Sequence, residues 1–443
     1  MKLRQAFRVE PNTRLAFVGA GGKTTGMFRL AREVAPAIVT ATTHLATDQL
    51  AQADRHFVVT SPEEVRAATW EEGVCLFTGP VEEEGRTRGV DGATLEELRA
   101  LAEAHSCPFL IEADGSRQLP LKAPAEHEPA IPAFVDTVVV VAGLSGLGQA
   151  LSAECVHRPE RFAALSGLGL GERVTKERLV RVLTHPLGGL KNIPAGARRV
   201  VLLNQADSVE RQSLARGMVE GLLEGFDGVG ISVLEASDPV FAMHEKMAGV
   251  VLAAGASRRM RASAGEGVLK QLLDWEGMPL VRHMTEVALA GGLSPVVVVT
   301  GAEREAVAEA IRGLPVIVKH NPAWAEGQSS SVKVGLGALP AQAGGAVFLL
   351  VDQPFVSGTL IRALREEHTR TLAPIVAPLI DEQRGNPVLF DRVTFGDFAG
   401  LQGDVGARPL FARYRPVWVP WHDGQAMLDV DTWEDYARLR GGV

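Results

Sequence analysis

The chain has 443 residues, more than one hydrophobic core usually supports, so its length predicts two domains. Apolar residues make up 46% of the chain and charged residues 22%, which is the composition of an ordinary globular protein. The formal net charge of −8 argues against wholesale binding to nucleic acid or to an anionic membrane, because both require an extended basic field.

The first ten residues lack the apolar core of a signal peptide, and no apolar run is long enough to span a bilayer. Cys75, Cys107 and Cys155 are a sparse, odd set without metal-binding spacing, which indicates buried thiols in a reducing compartment. We therefore expect a cytoplasmic protein with neither a nucleic-acid nor a membrane partner.

Apolar runs of strand length alternate with amphipathic helical stretches along the chain, a pattern that predicts α/β architecture. A strand with a small-residue loop starts again at Ala248, which predicts domains at 1–245 and 246–443. The predicted strands are 15–18, 37–40, 74–78, 109–112, 137–142 and 200–204, then 248–253, 296–300, 316–319, 347–351, 375–377 and 417–420. The predicted helices are 24–34, 94–105, 175–184 and 209–224, then 280–290, 304–312, 358–368 and 432–438.

The first predicted strand runs into a glycine loop and then a helix, which predicts a P-loop-like, three-layer α/β/α domain. Such a loop wraps backbone N–H groups around phosphates, Lys23 would contact the β- and γ-phosphates, and the Thr24 hydroxyl would ligate Mg²⁺. The full P-loop pattern requires a glycine where this chain has Phe17, and the alternative is a glycine-rich turn with a stray lysine. The predicted nucleotide-binding residues in this loop are Gly19, Gly21, Gly22, Lys23, Thr24 and Thr25.

Two further segments of the first domain suggest nucleotide chemistry. Asp114 lies at a strand end and is the better candidate for a second metal ligand, because Glu112 lies deeper in the strand. Asn204 and Asp207 stand in a pattern like the Asn-Lys-x-Asp signature of GTPases, with Gln205 in place of the lysine. Asp207 either reads a base or caps the following helix. Because Gln205 replaces the lysine, the pattern does not specify guanine, and the predicted ligand is ATP or GTP.

The second domain begins with a strand that breaks into the loop LAAGASRRM at 252–260. Its small residues let a ligand approach the backbone, and its serine and arginines supply donors for phosphate oxygens. A helix start at Ser330 offers further N–H groups and hydroxyls, although it is also an ordinary cap. The nucleoside triphosphate site is therefore predicted at Leu252, Ala253, Ala254, Gly255, Ser257, Arg258 and Ser330.

Acidic and basic residues further along this domain complete the predicted site. Asp352 ends an apolar run and is the first choice for a Mg²⁺ ligand, with Asp429 as the second. Asp431 fits a helix cap better, because Asp431-Thr432-Trp433-Glu434 has the spacing of a capping box. Arg259 and Lys270 are predicted to neutralise the β- and γ-phosphates and the pyrophosphate that leaves.

From about Gly249 onward the chain resembles the molybdenum cofactor cytidylyltransferase family. The segments that carry the resemblance are LAAGASRRM at 252–260, KQLL at 270–273, DQP at 352–354, RGNPVLF at 384–390, GDVGAR at 403–408 and DVDT at 429–432. The resemblance implies a Rossmann-like, GT-A-like α/β/α nucleotidyltransferase domain that transfers CMP from CTP to molybdopterin with Mg²⁺ and releases pyrophosphate. It implies catalytic roles for Arg259, Lys270 and Asp352 and acceptor binding by Arg384, Asn386 and Arg408. The chain departs from the family at 261–269, where its loop is longer.

Over roughly residues 11–240 the chain resembles the YqeC-like, selenium-dependent hydroxylase accessory family. The segments that carry this second resemblance are DGSR at 114–117, LPLK at 119–122 and HRPE at 157–160. It implies a role in maturing molybdenum hydroxylases, with an apo-hydroxylase as a partner. Two alternatives stay open: transfer to another phosphorylated acceptor such as a sugar or polyol phosphate, and a first domain that carries cofactor without catalysis.

Overall fold

The computed structural model describes residues 1–69, 72–82, 85–265 and 267–440. Glu266, in the longer loop at 261–269, lies outside the described residues, as does the end of the second predicted domain at 441–443. The chain divides into two compact units, Met1–His244 and Glu245–Val443. No helix in the described ranges combines the length and the apolar character needed to cross a membrane.

The first unit is a mixed α/β structure. Its strands are β1 (Arg14–Gly19), β2 (Ala37–Ala41), β3 (Arg55–Val58), β4 (Val74–Thr78), β5 (Val81–Glu82), β6 (Arg86–Thr87), β7 (Phe109–Glu112), β8 (Leu121–Lys122), β9 (Thr137–Gly143), β10 (Val156–His157), β11 (Arg198–Asn204), β12 (Gly228–Ser232) and β13 (Val240–Glu245). Its helices are α1 (Leu3–Ala6), α2 (Lys23–Val34), α3 (Pro62–Ala67), α4 (Gly92–Ala104), α5 (Pro159–Ser166), α6 (Lys176–Leu183), α7 (Val209–Arg216) and α8 (Val219–Leu223). Short 3₁₀ helices lie at Thr47–Gln52 and Leu144–Gly146.

The main sheet of this unit has the order β13-β12-β11-β9-β1-β7-β2-β4-β3, and its pairings from β12 to β3 are parallel. Strand β1 is central, and Leu15 pairs with Leu110 on one side and with Thr137 on the other. Strand β9 is buried along its whole length, as expected for a parallel strand covered on both faces. The carboxyl ends of β1, β7 and β11 therefore meet at one edge of the sheet.

The second unit is also α/β. Its strands are β14 (Met247–Ala253), β15 (Asp274–Trp275), β16 (Met278–Pro279), β17 (Val296–Thr300), β18 (Ile317–His320), β19 (Gly345–Leu350), β20 (Ile375–Ile380), β21 (Gln383–Arg384), β22 (Val388–Asp391) and β23 (Val417–Pro420). Its helices are α9 (Arg258–Ala264), α10 (Leu280–Ala290), α11 (Arg304–Ala310), α12 (Gln328–Gly337), α13 (Gly358–Thr371), α14 (Leu410–Arg413) and α15 (Trp433–Arg440). Its 3₁₀ helices are Lys270–Leu272, Trp324–Glu326, Arg392–Gly400, Gly403–Val405 and Gly424–Met427.

The sheet of the second unit has the order β18-β17-β14-β19-β22-β20-β21, and β23 pairs with β20. The chain moves from β14 to β17 and β18 on one side and then crosses to β19 on the other side of β14. All three pairings in this half are parallel, whereas β22 is antiparallel to β19. The crevice between the carboxyl ends of β14 and β19 is therefore a topological switch point, where open α/β sheets bind ligands.

The predicted α/β architecture is confirmed in both units, but some elements differ from the prediction. Strands β3, β12, β13 and β22 were not predicted, nor were the two-residue strands β5, β6, β8, β10, β15, β16 and β21. Strand β3 has no apolar run because it is a largely exposed edge strand. The single helix predicted at 209–224 is two helices, α7 and α8, which are separated at Gly217 and Met218.

Candidate functional site

The loop after β14 has backbone donors without partners. The carbonyl of Ala254 accepts from the amide of Ala302 at 3.3 Å, and the carbonyl of Gly255 accepts from Gln271 Nε2 at 2.6 Å. The amides of Gly255, Ala256 and Ser257 have no acceptor among the described residues. Unpaired N–H groups in such a turn form a binding site for an anion.

Gly301, which follows β17, allows the loop after β14 to lie close to the sheet. A Cβ added to Gly301 would lie 2.2 Å from the Ala254 carbonyl oxygen, so no residue with a side chain fits there without moving the loop. This loop borders a cavity of about 560 Å³ at the switch point. The cavity lining includes Leu252, Ala254, Gly255, Ala256, Ser257, Arg258, Arg259, Lys270, Gln271, Trp324, Gln328, Ser331, Asp352, Asp404 and Asp431.

Charged side chains form a cluster on one wall of this cavity. Lys270 Nζ donates to Asp352 Oδ2 at 2.7 Å and to Asp431 Oδ1 at 3.1 Å. Arg259 Nη1 donates to the other oxygen of Asp431 at 2.6 Å. Burial disfavours the charged form of Lys270, but the two carboxylates outweigh burial and raise its pKa. Burial favours the neutral form of Asp431, but Lys270 and Arg259 outweigh burial and lower the pKa of its carboxyl group.

Of the two predicted cation ligands, Asp352 lines the cavity, whereas Asp429 is not among its described lining residues. Asp352 Oδ1 is buried and has no hydrogen-bond partner among the described residues, and Gln353 Oε1 beside it has none either. Asp429 accepts from Gln353 Nε2 at 2.8 Å, and burial together with Asp352 and Asp431 raises its pKa. Within the described ranges no group of three or more histidine, cysteine or acidic side chains is arranged to hold a metal. The ammonium group of Lys270 lies between two of the carboxylates instead.

Asp431 does not cap the last helix, so that prediction is wrong. The amide of Asp435 donates to Thr432 Oγ1 at 3.2 Å, and the amide of Thr432 donates to Asp435 Oδ2 at 3.0 Å. The capping box thus begins one residue later than predicted, which leaves Asp431 available to the charge cluster. Sequence reasoning missed this role because the spacing in Asp431-Thr432-Trp433-Glu434 was itself a plausible cap.

The start of α12 also differs from the prediction. The Ser330 hydroxyl contacts the carbonyl oxygens of Ala323 and Gly327 and accepts from Asn321 Nδ2, so its hydrogen bonds lie within the protein. Ser330 is not among the described residues that line the cavity. Gln328 and Ser331 of the same helix line it instead, and the amide of Gln328 donates to Asp404 Oδ1 at 3.0 Å.

Of the residues predicted to bind the acceptor, Arg384 ends β21, Asn386 follows it, and Arg408 ends the 403–408 segment. The exposed Arg384 places its guanidinium 4.4 Å from the ring centre of Phe411. Burial and the charge of Arg408 lower the pKa of Arg384, so the two guanidinium groups are neighbours. Asn386 is half-buried next to this strand. In the part of the chain that the structure describes, neither arginine has an acidic partner.

The glycine loop of the first unit borders a second cavity, of about 380 Å³. Lys23 lies at its base with 3% of its surface exposed, and its Nζ donates to Ser116 Oγ at 3.0 Å. The same atom lies 3.3 Å from Asp114 Oδ1 and 3.6 Å from Glu112 Oε1. Burial disfavours the charged form of Lys23, but these two carboxylates raise its pKa. The lining includes Gly21, Gly22, Lys23, Thr24, Thr25, Glu112, Ser116, Arg117, Asn204 and Gln205.

The two carboxylates at this edge of the sheet contact different segments: Asp114 contacts the glycine loop, and Glu112 contacts helix α2. Asp114 Oδ2 accepts from the amide of Gly19 at 3.0 Å, whereas Thr24 donates to Glu112 at 2.7 Å. Burial raises the pKa of Glu112. Lys122, which sequence reasoning did not place at the site, donates to Asp114 Oδ2 at 2.8 Å. The sequence signal for this contact was the LPLK segment at 119–122.

Asn204 and Asp207 make different contacts in the structure. Asn204 Nδ2 donates to the Gly21 carbonyl at 2.7 Å, and its Oδ1 accepts from the amide of Leu234, so this side chain holds the glycine loop. Asp207 accepts from Arg211 at 2.7 Å on the surface. The suggestion that Asp207 caps α7 is wrong, because Ser208 is the N-cap and accepts from the amide of Arg211.

Comparison with known proteins divides the chain at the same place. Residues 15–160 match the family model of the YqeC protein, and residues 249–417 match that of the MobA-like NTP transferase domain. The YqeC protein of Escherichia coli K12 is 36% identical over 214 residues, which are 45% of this chain and 78% of that protein. Nicotine blue oxidoreductase of Paenarthrobacter nicotinovorans is 33% identical over 202 residues, which are 43% of this chain and 95% of that protein.

One solved structure, that of Rv0371c from Mycobacterium tuberculosis H37Rv, covers 44% of this chain and 97% of its own. It is 30% identical, with a TM-score of 0.39. The family matches and the two curated relatives together show that this chain is a nucleotidyltransferase that joins a member of the YqeC family to a member of the MobA-like NTP transferase family.

Proposed function

We propose that the second unit transfers CMP from CTP to the terminal phosphate of molybdopterin and releases pyrophosphate, and that the first unit binds and hydrolyses ATP or GTP during the maturation of molybdenum hydroxylases. The observation that carries the transfer is the placement of three unpaired amides, at Gly255, Ala256 and Ser257, beside Lys270 and Asp352 at the switch point.

The reacting groups are both anions, so the reaction needs charge neutralisation more than a strong base. The unpaired amides and the exposed Arg258 and Arg259 supply donors for the phosphate oxygens. Lys270 and Arg259 now contact Asp431, and a triphosphate would draw both cations toward its β- and γ-phosphates. The same groups would hold the attacking and leaving oxygens in line, which lowers the entropic part of the barrier.

The residues present fit a divalent cation at Asp352. Its Oδ1 atom is a buried oxygen without a hydrogen-bond donor, a position that a hard cation satisfies. Asp352, with Asp429 beside it, would hold Mg²⁺, and bound Mg²⁺ would supply positive charge to the phosphates. Lys270 contacts the other oxygen, Oδ2, so a cation at Oδ1 would repel its ammonium group and favour its transfer to the triphosphate.

The acceptor is assigned to the side of Arg384, Asn386 and Arg408. Two neighbouring guanidinium groups without an acidic partner among the described residues favour an anionic ligand such as a phosphate. The 403–408 segment connects the cavity, through Asp404, to Arg408. A sugar or polyol phosphate is the alternative acceptor, because the loop at 252–260 concerns only the nucleotide.

In the first unit, the glycine loop around Lys23 would bind the phosphates. Thr24 and Asp114 would hold Mg²⁺ there, and Lys23, whose Nζ lies 3.3 Å from Asp114 Oδ1, would then turn toward the phosphates. Hydrolysis by this unit would support a role in the maturation of an apo-hydroxylase. If the unit is instead a carrier, it will bind nucleotide without multiple turnover.

One experiment tests the assignment directly. The purified full-length chain is incubated with molybdopterin, Mg²⁺ and each nucleoside triphosphate in turn, and the products are identified by mass spectrometry. We expect a cytosine dinucleotide and pyrophosphate. Formation of a CDP-linked product only when a sugar or polyol phosphate is added in place of molybdopterin would change the acceptor, and absence of any nucleotidyl product with either acceptor would overturn the proposal.

A further inference from the structure

We propose that Gln271 is a positioning residue that fixes the loop after β14 so that its unpaired amides face the phosphates of the nucleotide. The inference rests on the proposed nucleotide site. Gln271 is 4% exposed and follows Lys270 in a short 3₁₀ helix.

The carboxamide of Gln271 contacts the loop with both of its ends. Its Nε2 donates to the Gly255 carbonyl at 2.6 Å and, more weakly, to the Ala253 carbonyl at 3.4 Å. Its Oε1 accepts from the Ser257 hydroxyl at 2.9 Å. That hydroxyl in turn accepts from the amide of Lys270 at 3.0 Å. One side chain therefore joins the loop to the segment that carries Lys270.

These contacts decide which way the loop peptides point. With the Gly255 carbonyl held by Gln271, the N–H of the same peptide, which belongs to Ala256, is directed away from Gln271. Without that donor, the peptide between Gly255 and Ala256 is free to rotate, because a glycine flanks it. Rotation would put a carbonyl oxygen where a phosphate oxygen must bind and would remove a donor.

The backbone conformation of Ser257 also depends on Gln271. Ser257 has a left-handed φ of 53°, a conformation that residues with a Cβ adopt only when their surroundings hold it. The hydroxyl of Ser257 is held from two sides, by Gln271 and by the amide of Lys270. Only a side chain that donates and accepts at once, at the reach of glutamine, makes the full set of contacts.

Binding of inorganic pyrophosphate and of CTP, CMP and cytidine to the full-length chain tests the inference. We compare wild type with Gln271→Leu and Gln271→Glu by calorimetric titration. Leucine removes every contact, whereas glutamate keeps the acceptor for Ser257 and loses the donor for Gly255. We expect both variants to bind pyrophosphate and CTP at least tenfold more weakly, CMP less so, and cytidine as wild type does.

If Gln271 positions the loop, the loss of affinity should grow with the number of phosphates in the ligand, whereas a general disruption of the fold should weaken all four ligands equally. An equal loss for all four ligands, or pyrophosphate binding by both variants as in wild type, would overturn the inference. Gln342→Leu, at an exposed turn of the same unit, is the matched control and should bind as wild type does. Ser257→Ala, which lacks only the hydroxyl, should show a smaller loss and serves if a Gln271 variant does not fold. If wild type itself binds neither pyrophosphate nor any nucleotide, the proposed nucleotide site fails instead.

Discussion

Lys270 donates its shortest hydrogen bond, 2.7 Å, to Asp352, a residue 82 positions away in the chain. The ammonium group contacts Oδ2 of this carboxylate, next to the Oδ1 atom where the proposed cation would bind. In the proposed mechanism, the triphosphate would give Lys270 a new partner and leave the Asp352 carboxylate to the cation. Nucleotide binding and cation binding would then be coupled through one side chain.

Asp352→Asn should reduce turnover on the order of a hundredfold or more, the scale of losing one element of charge stabilisation at a reacting phosphate. Asparagine keeps the shape but not the negative charge that a cation and Lys270 require. The measurement is steady-state pyrophosphate release, with the folded state checked by thermal unfolding. Asp381→Asn, at an exposed position whose left-handed φ asparagine tolerates, is the control. Unimpaired turnover in Asp352→Asn would remove this residue from the mechanism.

Lys23→Ala should abolish nucleotide binding by the first unit and leave nucleotidyl transfer by the second unit intact. It also removes the cation beside the buried carboxylate of Glu112, whereas Asp114 keeps its contact with Lys122, so the first unit should lose about 3 kcal/mol of stability, the lower end for a broken buried ion pair. Titration of the full-length chain should then show one class of nucleotide site fewer, and pyrophosphate release should persist. Loss of transfer, with the second unit still folded, would contradict the independence of the two sites. Alanine at the partly exposed Lys176 is the comparison.

The first unit should lose stability as the pH falls from 6.5 toward 4. Burial, together with Arg158 and Lys122, lowers the pKa of His157 from 6.5 to about 4. In that window the unfolded chain binds a proton at this ring that the folded unit does not, so the stabilisation is complete above pH 6.5 and declines below it. His157→Asn should flatten the pH dependence of urea unfolding over this range. The same change at the exposed His127 should leave the slope unaltered, and an unchanged slope in His157→Asn would refute the assignment.

CTP should outcompete GTP for limiting molybdopterin. A site shaped for a pyrimidine leaves a buried donor or acceptor unpaired when it binds the wrong base, which costs roughly 1–3 kcal/mol and hence about ten- to a hundredfold in rate per group. Equimolar CTP and GTP are offered together, and the two dinucleotides are quantified. A mainly guanine product would refute the cytidylyl assignment and leave the nucleotidyltransferase mechanism standing.

Arg384→Gln should raise the KM for the phosphorylated acceptor about tenfold, since a hydrogen bond to a charged group contributes about 1.5 kcal/mol. The KM for the nucleotide should not change, because Arg384 does not line the nucleotide cavity. Initial rates at varied concentrations of each substrate separate the two constants. Arg415→Gln, exposed in the same unit, is the control. A change confined to the nucleotide KM would move Arg384 to the other half of the site.

The sequence identified features that depend on neighbouring residues. The loop at 252–260 is such a feature, because its strand, its small residues and its arginines are contiguous. The contact between Lys270 and Asp431 spans 161 residues, and no local pattern indicates it. Thr24 and Glu112 are likewise 88 residues apart, and only the pairing of β1 with β7 brings them together.

Errors arose where one residue type serves two purposes. Serine at a helix start is favourable both as a cap and as a ligand, and the contacts of Ser330 became clear only with the carbonyls of Ala323 and Gly327 in place. Gln271 stands in the KQLL segment at 270–273 that carries the family resemblance, but no pattern in the sequence indicates which groups its side chain contacts. The roles assigned to the individual site residues stay predictions until the variants are measured.

The three cysteines are all buried, and all of them belong to the first unit. Burial raises the pKa of Cys107 to about 11 and also raises that of Cys155, so neither forms a reactive thiolate near neutral pH while the unit is folded. The second unit contains no cysteine. A thiol-reactive dye added to the intact chain will therefore label only the first unit when that unit opens. The labelling rate then measures the opening of the first unit in the full-length chain.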